Sequence, residues 1–262
     1  MKHITSDQNP QIKQLRMLRE RPARQRDRIL LDGVHLCQAW LLHHGLPECA
    51  VAAQSRLGQT DIAAILTQVE SSRILCVPDA LFARLSEVES HQGILFVAAR
   101  PVPALPDLIS ENAVWLDRIQ DPGNLGTLIR TAAAAGIRRL FLSRGTASAW
   151  SPKALRAGQG GHFVVALHEE IVPEVLLPRL AIPLAATTLE QARSLYDSAL
   201  PQDCVWVFGN EGQGVDPALL QAAGLRIRIP HEQDRVESLN VAVAAALCLF
   251  EQRRQQQSSR LT

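Results

Sequence analysis

Four apolar residues, Ala113-Val114-Trp115-Leu116, run into Asp117, and the hydrophobic pattern then changes period. The run is short and bulky, as a buried strand is. It ends in a turn at Asp121-Pro122-Gly123, and an alanine-rich helix follows as far as Gly136, a residue suited to stopping it. Asn124 occupies the place expected of the helix N-cap. A strand handed to a helix through so short a turn commits the chain to layered α/β structure. Open α/β sheets place ligands at the carboxyl ends of their strands. Arg130 stands out in the otherwise apolar helix. Taken singly, it reads as a solvent-facing or paired charge, and Asn124 as a cap.

The alternation continues downstream. Strands are predicted at residues 139–143, 163–167, 182–187, 204–208 and 225–229. Helices are predicted from about 150 to Gly158, over 172–180, 217–223 and 238–251, with a short one before 204. This is the pattern of a parallel sheet covered by helices on both faces. Ser238 is the expected N-cap of the last helix, which is apolar nearly all round apart from Asn240 and therefore predicted to be buried. Its alanines, Ala242, Ala244, Ala245 and Ala246, allow close helix approach. The polar stretch 252–259 is predicted to fray. The glycines of Phe208-Gly209-Asn210-Glu211-Gly212-Gln213-Gly214 are spaced G-x-x-G-x-G rather than G-x-G-x-x-G, and no phosphate-loop lysine follows. That disfavours a nucleotide-dependent oxidoreductase. Glu211, just past an apolar strand, is placed to reach a ligand.

Residues 1–99 read as a smaller α/β domain, and Arg100-Pro101-Val102-Pro103-Ala104-Leu105-Pro106 as the proline-dense start of a linker over 100–111. The larger domain takes 112–262. Asn9-Pro10 opens the first helix, with Ile12, Leu15 and Leu18 on its apolar face. Lys13, Arg16, Arg19, Arg21, Arg24, Arg26 and Arg28 face only Glu20 and Asp27 between residues 11 and 28. A merely solvated face mixes signs, so this run reads as a phosphate-binding patch, with Lys13, Arg16, Arg19 and Arg24 as its ligands.

The formal net charge is only +1, so any nucleic-acid site must be such a local patch. A hydrophobic content of 47% argues against global disorder. Five widely spaced cysteines, without a C-x-x-C pair, read as reduced thiols rather than a disulfide framework or zinc site. No metal motif, signal peptide or membrane span is visible, which makes the cytoplasm the expected compartment.

Three stretches occur in a telling order: residues 117–136, residues 208–215, and Ile229-Pro230-His231 onward to Ser238-Leu239-Asn240-Val241. Together they resemble the three motifs of the SpoU (TrmH-like) branch of the SPOUT RNA methyltransferases. The set is specific where any one motif is not. The opening Asn9-Pro10 motif and the closing His91-Gln92-Gly93-Ile94 resemble the substrate-binding domain that often precedes that catalytic domain, with Asp32-Gly33 where Glu-Gly is common. The resemblance implies a SPOUT domain with a deep trefoil knot, a homodimer built on the last helix, and S-adenosyl-L-methionine as cofactor. It implies cofactor contacts at Thr187, Gly209, Ile229, Leu239 and Asn240, and a catalytic set of Arg130, Asn124, Glu211, Ser238 and Asn240. The implied reaction is methyl transfer to a ribose 2′-hydroxyl of structured RNA, ribosomal RNA in preference to tRNA, with a catalytically inactive RNA-binding protein of the same fold as the other reading. Two departures stand out: residues 231–237 are about one residue longer than usual and lack a glycine, and Arg156-Ala157-Gly158-Gln159-Gly160 lacks the serine of the frequent R-x-S-x-G.

Overall fold

The first hundred residues alternate short apolar runs with helical ones, and each run becomes a strand or a helix face. The computed structural model describes residues 1–20, 27–88, 90–232 and 234–258. Contacts divide the chain into two compact units, Met1–Pro101 with Trp150–Phe163, and Val102–Ala149 with Val164–Thr262. In the first, the order is β1 (Lys2–His3), α1 (Pro10–Glu20), β2 (Arg28–Asp32), α2 (Val34–His44), β3 (Cys49–Ala53), α3 (Thr60–Leu66), β4 (Ile74–Val77), α4 (Asp79–Ala83) and β5 (Ile94–Ala99). The sheet order is β1-β4-β3-β5-β2, with β5 antiparallel to both its neighbours and the other pairs parallel. Ile12, Leu15 and Leu18 of α1 are buried against Leu30, Val51, Leu75 and Leu95. The Asn9 side chain accepts from the N–H of Gln11 (2.9 Å), so α1 starts at the expected Asn-Pro step.

The second unit runs β6 (Ala113–Leu116), α5 (Pro122–Ala134) and β7 (Arg139–Ser143). After α6 (Pro152–Gly158), which packs with the first unit, come β8 (Ala166–Ile171), α7 (Pro173–Leu176), β9 (Leu184–Thr187), β10 (Arg193–Ser194), β11 (Val205–Phe208), α8 (Pro217–Ala222), β12 (Leu225–Arg228) and α9 (Val241–Ser258). Its strands form a parallel sheet in the order β10-β12-β9-β11-β6-β7-β8. The central strands are buried on both faces, as their uninterrupted apolar sequences require. Trp115 and Trp206 are fully buried, and each indole N–H has a partner: the Ser143 hydroxyl at 2.8 Å and Gln252 Oε1 at 2.8 Å. Without these bonds a buried indole N–H would cost about 1–3 kcal/mol.

Several local expectations need correcting. Asp121, not Asn124, caps α5: its side chain accepts the N–H of Asn124 (2.8 Å), with Pro122 in the first turn. The last helix occupies Val241–Ser258 rather than 238–251. Asn240 takes the capping part expected of Ser238, because its Oδ1 accepts the N–H groups of Ala242 (2.9 Å) and Val243 (3.3 Å). The stretch from 252 does not fray within the described residues; Gln252 is buried and bonded to Trp206, to Asn112 Oδ1 (3.0 Å) and to the Pro201 carbonyl (3.0 Å). The strand expected at 163–167 lies at Ala166–Ile171, because Phe163 closes a 3₁₀ turn and packs on Trp40 within the first unit. Helix 172–180 stops at Leu176 and continues as a 3₁₀ turn containing Pro178, which cannot donate to the preceding turn. In place of a short helix before 204 there is the short strand β10.

The five cysteines are free. Among the described residues no helix is long and apolar enough to cross a membrane.

Candidate active site

Four neighbouring strands, β12, β9, β11 and β6, end side by side, and the residues beyond them belong to the three stretches singled out by sequence. Thr187 is the last residue of β9; Gly209, Ile229 and Asp117 directly follow β11, β12 and β6. The Thr187 hydroxyl donates to the Val207 carbonyl (3.2 Å), tying the ends of two strands.

After β11 the chain makes a tight loop. The N–H of Asn210 donates to the Gly214 carbonyl (3.0 Å), and the N–H of Gly214 returns to the Asn210 carbonyl (2.9 Å). A Cβ on Gly209 would lie 2.3 Å from the main chain of Gly214 and Val215, so only glycine fits under this loop.

Glu211 rides on the loop and is held by donors from the β6–α5 turn. Oε2 accepts the N–H of Gln120 (3.1 Å), and Oε1 accepts Asn124 Nδ2 (3.0 Å) and the N–H of Asp121 (3.4 Å). Partial burial by itself raises the carboxyl, but the bonds from Asn124 and the main chain outweigh it and hold Glu211 below the ordinary glutamate range. It is therefore an ionised acceptor at neutral pH.

Asn240 completes the set. Its Oδ1 caps α9, which leaves Nδ2 to donate, and it donates to Asn124 Oδ1 (3.0 Å). Both amide orientations are thus set by the backbone at one end and the carboxylate at the other. One chain of hydrogen bonds, Asn240 to Asn124 to Glu211, joins all three stretches. The corrected cap makes this possible: because Asp121 serves the helix, the side chain of Asn124 is free to serve Glu211 and Asn240.

Other expected residues stand apart from this chain. Arg130 lies six residues beyond Asn124 on α5, about 9 Å along the axis. It is exposed and makes no hydrogen bond or ion pair among the described residues. Ser238 is exposed and Leu239 half-buried in the segment before α9. The long segment after Ile229 is held by His231, whose ring nitrogens meet the carbonyls of Ile229 (2.8 Å) and Glu237 (3.4 Å).

In the first unit, Arg16 pairs with Asp7, which also takes Arg84 (3.1 Å), and Arg19 donates to the Arg84 carbonyl. Lys13 is exposed. Arg24 lies outside the described residues. Arg84 was not singled out by sequence, since it sits far from the basic run and only the fold brings it there. The missed groups of the second unit are the main-chain donors of Gln120 and Asp121, which carry no residue-type signal at all.

The class defined here is an α/β protein whose polar site sits on the carboxyl edge of a parallel sheet, accompanied by a smaller mixed-sheet unit. Residues 111–250 match the SpoU rRNA Methylase family, and residues 9–96 match the MRM3-like substrate binding domain. The chain is 33% identical to the 23S rRNA (guanosine(2553)-2′-O)-methyltransferase RlmP of Bacillus subtilis, over 95% of this chain and 98% of that protein. It is 31% identical to an uncharacterized tRNA/rRNA methyltransferase of Synechocystis sp., over 97% of this chain and 94% of that one. Its fold is similar to an AdoMet-bound rRNA methyltransferase from Sinorhizobium meliloti, with a TM-score of 0.82, 28% identity and 97% of each chain covered. The chain belongs to the SpoU rRNA methylase family.

Proposed function

We propose that this chain transfers the methyl group of S-adenosyl-L-methionine to a ribose 2′-hydroxyl of ribosomal RNA. The observation that carries the reading is the hydrogen-bonded chain Asn240–Asn124–Glu211 at the carboxyl edge of adjacent parallel strands. The relative from Bacillus subtilis, named for guanosine 2′-O-methylation of 23S rRNA, supports the substrate class.

The residues at the strand ends suit the cofactor. Ile229, directly after β12, and half-buried Leu239, before α9, offer apolar side chains of the kind that take up an adenosyl group. Thr187, Gly209, Ile229, Leu239 and Asn240 would hold it, and once bound it supplies an electrophilic methyl group that needs no metal to activate it. The protein's remaining task is to position the ribose and stabilise charge. Arg130, always protonated, grips an RNA phosphate and stabilises the negative charge growing on the 2′-oxygen. Glu211, already ionised and bonded to three donors, positions Asn124, and the 2′-hydroxyl proton leaves to solvent with the help of the RNA phosphate that Arg130 grips. Asn124 and Asn240 fix the substrate side of the site, and Ser238 adds a hydroxyl at its rim.

In this reading residues 1–99 grip RNA, 100–111 link, and 112–262 carry out transfer through a SPOUT domain with a deep trefoil knot. The residues assigned to gripping RNA are Lys13, Arg16, Arg19 and Arg24, and Arg84 joins Arg16 at Asp7. Val243 and Phe250 leave an apolar face of α9 about half exposed, which supports a homodimer formed through that helix; sedimentation should give about twice 28.8 kDa. The expected compartment is the cytoplasm.

The test is transfer of labelled methyl from S-adenosyl-L-methionine to purified ribosomal RNA and to tRNA, followed by mapping of 2′-O-methyl positions. Label in ribosomal RNA is expected. Label only in tRNA would replace the substrate, and tight RNA binding with no label would leave an inactive RNA-binding protein.

A further inference from the structure

Arg118, between β6 and α5, holds a left-handed backbone (φ 54°), a conformation that non-glycine residues adopt only when their surroundings enforce it. The enforcing contacts are visible at both ends of the residue. The Asp117 carboxylate is buried, accepts Arg118 Nε (3.3 Å to each oxygen) and Nη2 (3.1 Å), and also takes the N–H of Asp216 (2.9 Å). Arg118 Nη1 donates to Gln213 Oε1 (3.1 Å). The Arg118 carbonyl accepts Asn210 Nδ2 (2.8 Å) and Gln120 Nε2 (2.9 Å).

These partners bracket Glu211. Asn210 precedes it, Gln213 follows two residues later, and Gln120 supplies one of its main-chain donors. Asn210 Oδ1 also accepts the N–H groups of Gly212 (2.9 Å) and Gln213 (2.8 Å), so the loop is stiff between its two attachment points. Arg118 therefore fastens the Glu211 loop to the turn that carries Glu211's donors. Its charge is already matched by Asp117, with Asp216 at 3.9 Å, whereas Arg130 has no such partner among the described residues.

We infer that Arg118 is a positioning residue that registers the Glu211 loop against the N-terminal turn of α5 and acts on methyl transfer through Glu211. The inference rests on the proposed methyltransferase reading.

A double-mutant cycle tests it: single-turnover methylation and calorimetric S-adenosyl-L-methionine binding for wild type, Arg118→Ala, Glu211→Gln and the double variant. Arg118→Ala should slow transfer ~10–100-fold, the range by which loss of a supporting group acts on a site, with cofactor Kd within about twofold. The double variant should be no slower than Glu211→Gln alone, the sign of coupled residues. In Arg118→Ala the carboxyl of Glu211, followed by NMR, should titrate closer to the ordinary glutamate value. Arg118→Lys should recover part of the rate, because a point charge can meet Asp117 but not Gln213 as well. Should Arg118→Ala fail to fold, exposed Gln213→Ala removes the guanidinium's hold on the loop and should slow transfer in the same direction by a smaller factor. Multiplying defects in the double variant, or a lower salt dependence of RNA binding in Arg118→Ala, would overturn the inference. Wild-type rates in Glu211→Gln would instead remove the role proposed for Glu211, and the positioning role with it.

Discussion

The loops beyond β6, β9, β11 and β12 and the outer face of α1 carry charge in opposite ways. In the loops the Glu211 carboxylate meets three protein donors, and both neighbouring amides have their orientation fixed. Around α1, Lys13 stands in solvent while Arg16 and Arg84, the latter just past α4, share the Asp7 carboxylate, leaving net positive charge. The first region is held in place by its own hydrogen bonds, which is what an effect on rate requires. The second leaves cations exposed, and in the proposed reading these act on RNA affinity and its salt dependence. Arg130 is the exception that sharpens the contrast, an exposed charge on the helix that begins in the organised region.

The largest effect is expected from Arg130→Ala. Single-turnover methylation should fall by ~100–1000-fold, the range seen when one charge-stabilising donor is lost. Cofactor affinity and thermal stability should stay near wild type, since alanine suits a helix and no hydrogen bond or ion pair within the described residues is removed. Arg130→Lys should rescue poorly. Near-normal turnover would make Arg130 a bystander and erase the exception.

Gly209→Ala comes next and strikes the organised region itself. Its Cβ would press on main chain at 2.3 Å, so the loop must shift, at a cost of about 1–3 kcal/mol. A lower thermal midpoint together with slower transfer is expected. An unchanged midpoint would mean that the loop is looser than its hydrogen bonds imply.

Charge reversal at Lys13, Arg16 and Arg19 should weaken RNA binding and flatten its salt dependence by about one unit of slope for each phosphate that is no longer neutralised. Arg84→Ala alone should lower the slope by about one. Cofactor binding should not respond. If rate at saturating RNA changed while affinity held, the division between the two regions would fail.

The smallest effect is on acid stability. The Glu211 carboxyl is held below its ordinary value of 4.5, because its hydrogen bonds outweigh its partial burial. A depressed value in the folded state means that the stabilisation is fully present above the unfolded value and is lost as pH falls through the lowered one. The gap in melting temperature between wild type and Glu211→Gln should therefore be widest near neutrality and close in acid. A gap that widened in acid would contradict the sign.

Sequence periodicity located the strands near their true places, because runs such as Ala113-Val114-Trp115-Leu116 admit one reading. It failed where tertiary partners decide the outcome. Phe163 left its strand for a ring contact with Trp40, and Asn124 lost the cap to Asp121 because Pro122 fixed the helix start one turn earlier. The candidate site was legible in its side chains but not in its wiring. Asn124, Glu211 and Asn240 could be named, whereas the main-chain donors of Gln120 and Asp121, and the left-handed Arg118 between the loops, leave no mark on residue type. Arg84 shows the same limit on the basic face, being adjacent to α1 only once the chain has folded.

The bonds made by Gln252 bear on the order in which the chain can mature during synthesis. Trp206 sits in the middle of the parallel sheet, yet the acceptor for its indole is forty-six residues further along. Until residue 252 has cleared the ribosome, a central strand lacks a partner for a group it must bury. Closing the core of the second unit before then carries a penalty of about 1–3 kcal/mol, whereas the strands of the first unit are all in hand by residue 99. A helper that holds nascent chains would have most to do in that interval.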